Sequence, residues 1–218
     1  MAVRVARLRA IGSAFPRIGF WRKRKAKNSA MFEAIRRMGS PKSFESARAE
    51  VKADPKTVKR MLFSKDPRYR EKAAWAIGRA ALERLFGSVA KRLAYDRKGR
   101  PVERSTTARN WLVYSVTELA NTEERKVQAE RLLFSVLEKD PKGEPRVGAV
   151  KGLRTLGNKL IVYRLKEALE AEEARSNGGD WRVVRELTET IDALEETEYE
   201  RYLAEKKPGP APYPGQHP

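Results

Sequence analysis

The chain has 218 residues, 40% of them hydrophobic, which is enough apolar material for a real core and excludes wholesale disorder. Cysteine is absent and His217 is the single histidine, so disulfides, thiolate metal sites and zinc fingers are excluded. The formal net charge is +18, and it is unevenly spread: residues 1–110 carry 30 basic and 9 acidic side chains, residues 111–218 carry 17 and 20.

A steep charge asymmetry of this kind suits a protein that presents one end to a polyanion and keeps the other for a different contact. No stretch approaches the roughly 18 apolar residues of a membrane-spanning helix. The cysteine-free composition fits a reducing compartment, and a cytoplasmic location is expected.

Residues 1–29 read as an extended basic arm. Its first acidic residue comes only at Glu33, and Gly12, Pro16 and Gly19 are expected to interrupt long regular structure. The Arg-rich start is also what an organelle transit peptide shows, a minor alternative. Within the arm, "WRKRKAKN" packs five positive charges and one aromatic ring into residues 21–28.

From Ser29 the apolar pattern turns helical. "SAMFEAIRRMG" puts Met31, Ile35 and Met38 on one face and stops at Gly39. "SPKSFESARAEVKA" continues with Phe44, Ala47 and Val51. Asp54–Pro55 and Asp66–Pro67 each read as a helix start. The Asp caps free amides, and the Pro needs no N–H in the first turn. "KLIVYRL" at 159–165 is the best strand candidate, yet it runs smoothly into the helical "KEALEAEEA".

Four segments repeat one apolar pattern, starting at Asp66, Arg104, Glu144 and Gly179, about 38, 40 and 35 residues apart. The first three are each followed by a second amphipathic segment; the last runs on to about Leu203 without one. Helix pairs at this period predict an α-solenoid, in which neighbouring pairs must stack to bury a continuous core. "DPRYREKAAWAIG" resembles the first helix of HEAT-like repeats, with its Asp-Pro start and Ala-rich A-[IL]-G. "EPRVGAVKGLRTLG" is a looser match that keeps Pro145, Leu156 and Gly157. The resemblance covers about residues 54–200 and implies a scaffold rather than an activity. The expectation is therefore an all-α, HEAT-like helical-repeat solenoid of about four helix pairs at 30–205. An extended basic arm at 1–29 precedes it, and a Pro/Gly-rich tail at 206–218 follows.

Catalytic chemistry finds little support. His217 lies in a tail expected to be loose, no Walker-type phosphate loop occurs, and the carboxylate runs are expected to lie on helix surfaces that face solvent. No catalytic residue, metal, cofactor or small-molecule substrate is expected. One enzyme class survives this filter, the HEAT-like alkylpurine DNA glycosylases, which use an aspartate and tryptophans in a basic groove. Trp75, Trp111 and Trp181, with Asp180, are the thin match, and core packing and helix capping account for most of it.

Binding to nucleic acid fits better. Arg17, Arg22, Lys23, Arg24, Lys25 and Lys27 are candidate phosphate contacts in the arm, with Phe20 and Trp21 able to stack on unpaired bases. Lys59, Arg60, Arg68 and Arg70 continue the charge along the first helices. Arg97, Lys98 and Arg100 add a loop between helix pairs. The expectation is a non-enzymatic module for RNA rather than DNA, associated with a ribosome or another ribonucleoprotein. The near-neutral C-terminal repeats would dock a protein partner. The rivals are the glycosylase and a protein-only scaffold.

Overall fold

A computed structural model describes residues 16–175 and 179–206. Among them are ten α-helices and no strand beyond one isolated bridge between Tyr95 and Pro101. The helices are α1 (Pro16–Arg37), α2 (Phe44–Ala53), α3 (Pro55–Leu62), α4 (Pro67–Arg79) and α5 (Phe86–Leu93). They continue with α6 (Thr106–Glu118), α7 (Glu123–Lys139), α8 (Gly143–Leu156), α9 (Val162–Glu173) and α10 (Trp181–Lys206). None of the described helices is long and apolar enough to cross a membrane.

The local starts follow from capping chemistry. Asp54 Oδ1 accepts the Thr57 N–H at 3.0 Å, and Asp66 Oδ1 accepts the Arg68 N–H at 2.9 Å. Ser105 Oγ accepts the Ala108 N–H at the start of α6, and Asp180 Oδ1 accepts the Arg182 N–H at the start of α10. At the other end of α8, Gly157 adopts φ +66, the left-handed geometry that lets its N–H reach back to Leu153 and Arg154. "KLIVYRL" forms a 3-10 turn at Lys159–Ile161 and then α9, with Ile161 and Leu165 buried and Leu160 and Tyr163 exposed, so it is no strand.

α4, α6, α8 and α10 pack side by side in succession. Against them lie α3, α5, α7 and α9, each on the helix that follows it. The close pairs are thus α3–α4, α5–α6, α7–α8 and α9–α10. Pairing each amphipathic segment with the helix after it in this way leaves α10 with a partner, α9, where pairing it with the helix before leaves α10 alone. α1 and α2 pack on each other, and α1 also covers α3 and α4. One apolar cluster runs through all of this, from Met31 to Leu194. Its fully buried members include Ile35, Leu62, Ile77, Leu112, Leu133, Leu153 and Leu187, each contributing about 1.5–3 kcal/mol by leaving water.

Two departures from expectation concern α1. The helix begins at Pro16, not Ser29, so 16–29 is helical backbone continuous with the segment that packs on the core. Pro16 stands in the first turn, where a missing N–H costs nothing, and Gly19 is carried inside the helix, so neither interrupts it. The remaining residues of the arm, 1–15, and residues 207–218 of the tail lie outside the described residues.

α4 and α6 approach closely because Gly78 has no side chain. Its N–H donates to Ser115 Oγ at 3.0 Å, and Ser115 Oγ donates to the Ala74 carbonyl at 2.5 Å. A Cβ at Gly78 would stand 2.8 Å from Ser115 Oγ and 2.9 Å from the Tyr114 ring.

Candidate nucleic-acid interface

The fourth residue of α4, α6 and α8 is in each case a buried arginine: Arg70, Arg109 and Arg146. Each one reaches a carboxylate that precedes the next helix of the row. Arg70 grips Glu103 with two bonds, Nε to Oε2 at 2.8 Å and Nη2 to Oε1 at 2.9 Å. Arg109 grips Asp140 in the same way, and Arg146 pairs with Glu172. The Nη1 atoms of Arg70 and Arg109 donate to the carbonyls six and five residues earlier, Ser64 and Lys65 in one case, Glu103 and Arg104 in the other.

Each acid has a further donor. Arg92 and the Ser105 N–H bind Glu103; the Tyr95 hydroxyl and the Lys142 N–H bind Asp140; Arg175 and the Asp180 N–H bind Glu172. Because these links join the first turn of one helix to the segment entering the next, the N-terminal ends of α4, α6, α8 and α10 lie along one edge. Their helix dipoles add partial positive charge to that edge.

The shifts in ionisation follow from these contacts. Burial works against the charged form of Glu103, but hydrogen bonds from Arg70 and Ser105 and the charges of Arg92 and Arg70 hold its carboxyl below the ordinary value. Burial, then the Asp140 charge and hydrogen bond, push the Tyr95 phenol well up. The Thr57 hydroxyl holds Asp54 down against its burial, helped by the Thr57 N–H and by the charges of Arg60 and Lys27.

This arrangement separates structural cations from available ones. Arg70 is a structural cation: it is only 9% exposed and tied to Glu103, so it presents no charge to a ligand, contrary to expectation. Its position in the first turn of a helix resembles that of a surface residue in sequence; the acid that claims it is 33 residues away. Arg60 is half-buried and donates to the Thr57 hydroxyl. Arg68 is exposed but paired with Asp66, and Arg100 is exposed but paired with Asp96. Lys27, Lys59, Arg97 and Lys98 are exposed with no ion-pair partner among the described residues. Arg17, Phe20, Trp21, Arg22, Lys23, Arg24 and Lys25 stand on the backbone of α1, and their side chains lie outside the described residues.

The loop 94–105 is built to hold its cations outward. Asp96 accepts from the backbone N–H of Lys98 at 2.8 Å and of Arg100 at 2.9 Å, and Gly99 turns the chain at φ +72. Next to the loop is a cleft of about 610 Å³ whose walls include Arg100, Val102, Arg104, Pro141 and Lys142. Arg104 and Lys142 are exposed and make no side-chain hydrogen bond or ion pair among the described residues. Lys142 is the member that sequence reasoning missed. It lies 38 positions after Arg104, and only the stacking of α6 and α8 brings the two to one cleft.

The tryptophans divide. Trp75 and Trp111 are half-buried against the core, rings edge to face at 6.4 Å, and line a smaller cleft of about 260 Å³ with Arg36, Glu71 and Lys72. Trp181 is exposed at the start of α10 beneath Arg185. Asp180 caps that helix and pairs with Arg182, and no aspartate lines the Trp75–Trp111 cleft among the described residues. No family model matches this chain, and no curated protein matches it significantly.

Proposed function

We propose that this chain is a HEAT-like helical-repeat module that binds nucleic acid, RNA in preference to DNA, without catalysing a reaction on it. The carrying observation is the sorting of cations along one edge. The arginines inside the stack are neutralised by Glu103, Asp140 and Glu172, while Arg97, Lys98, Arg104 and Lys142 are left unpaired and outward among the described residues. A surface whose cations lack internal partners keeps its full charge for phosphates. The arginines of these links recur after 39 and then 37 residues and their acids after 37 and then 32, which supports the repeat reading. RNA is favoured because Phe20 and Trp21 sit within the basic segment of α1, where rings serve unpaired bases better than a closed duplex.

The second half of the chain carries no positive excess and exposes Leu160, Tyr163 and Trp181, which suits docking to a protein within a cytoplasmic ribonucleoprotein such as the ribosome. Purification of the full chain with and without nuclease tests the reading. Nucleic acid, mostly RNA, should co-purify without nuclease. A preparation free of nucleic acid, with RNA affinity no better than that of an unrelated protein of equal charge, would favour a protein-only scaffold.

A further inference from the structure

Resting on that reading, we infer that the cleft between the loop 94–105 and the turn 140–142 seats one unpaired nucleotide of a bound strand. Its phosphate lies on Arg104 and Lys142, and its base or sugar lies against Pro101, Val102 and Pro141. Three observations meet here. The volume, about 610 Å³, is in the range of a small-molecule pocket and well above what one ion needs. Its walls include two cations without partners among the described residues, Arg104 and Lys142, and an apolar side on which Val102 stays 42% exposed; Thr106 and the ion-paired Asp96, Arg100 and Arg109 complete them.

The surrounding charge is also fixed in sign. Asp96, the carboxylate in the wall, is held by Arg100, and the Asp140 carboxylate just behind it is held by Arg109. An incoming phosphate therefore meets Arg104 and Lys142 without displacing an internal partner. A duplex presents its phosphates outside and its bases inside, so it can use the cations but not the apolar wall; an unpaired nucleotide can use both.

The test uses the full chain, a labelled ten-nucleotide single strand, the duplex of the same sequence, and free adenosine monophosphate. Arg104 and Lys142 are exposed, so Arg104→Gln/Lys142→Gln should keep the wild-type melting temperature. It should weaken single-strand and duplex binding alike, whereas Val102→Ser, which alters only the apolar wall, should weaken single-strand binding at least threefold and leave duplex binding unchanged. The salt slope on the single strand should fall by about 0.7, the share of one phosphate. Lys56→Gln/Lys59→Gln, outside the cleft, should weaken both forms equally. Equal loss on both forms in Val102→Ser, or loss on neither, overturns the inference, as does adenosine monophosphate binding as tightly as the strand. Wild-type affinity in the cleft variant, with loss on neutralising Arg22, Lys23, Arg24 and Lys25, overturns the cleft but leaves nucleic-acid binding standing. Absence of any binding by the wild type removes both.

Discussion

Arg109 and Asp140 face each other inside the stack through two hydrogen bonds, Nε to Oδ2 at 2.6 Å and Nη2 to Oδ1 at 3.0 Å. Their side chains are 3% and 0% exposed, so neither can fall back on water if the other is removed. Asp140→Ala should cost about 3–5 kcal/mol, the usual penalty for stranding a buried charge. Arg109→Met should cost less in combination with Asp140→Ala than the two single changes summed. Urea unfolding of the four proteins in the cycle checks both outcomes.

Glu103 gives the stack an acid-sensitive joint. Its carboxyl is held below the ordinary value in the fold, so the stability it contributes is present above the unfolded pKa, about 4.3, and is lost as pH falls through the lower, folded value. Glu103→Gln should be markedly less stable than wild type near neutral pH, and the gap should narrow below about pH 4. Denaturant midpoints of both proteins, followed from neutral pH down into the acid range, measure it. A gap of constant size across that range would place the stabilisation elsewhere.

Gly78 sets the distance between α4 and α6. Gly78→Val would drive side-chain carbons into Ser115 and Tyr114 and break the N–H bond to Ser115 Oγ by forcing the helices apart. Overpacking of this kind typically costs about 1–3 kcal/mol. Thermal unfolding should show the loss. Gly87, with open space around the same hypothetical carbon, should accept alanine without destabilisation and serves as the control.

The all-helical class and most helix starts are legible from the residues alone, because capping is local. Asp54, Asp66 and Asp180 each act within three positions of themselves, and Pro55 and Pro67 mark the first turns. The pairing of helices is less legible. The apolar faces of α5, α7 and α9 fit either neighbour in sequence, and only packing chooses the following helix. The start of α1 is hidden because Pro16 and Gly19 weaken a helix interior but do not forbid a helix that begins at the proline.

The candidate site is half legible for the same reason. Arg97, Lys98 and Arg100 cluster in sequence and stay clustered in space. Arg70 carries no local mark of burial, since Glu103 lies 33 residues away. Lys142 joins the cleft only through the stacking of α8 on α6.

The direct measurement of nucleic-acid binding is the affinity of the full chain for a short single-stranded RNA as a function of salt, beside a variant with Arg22, Lys23, Arg24 and Lys25 changed to glutamine. Substitution is preferable to truncation, because α1 continues into Met31, Ala34, Ile35 and Met38, which are buried in the core. Binding should weaken steeply with salt in the wild type, and the slope should fall by about 0.7 for each phosphate that the variant no longer neutralises. Affinity that is flat with salt, or a slope unchanged by the four substitutions, would contradict a polyanion grip by the basic half of the chain.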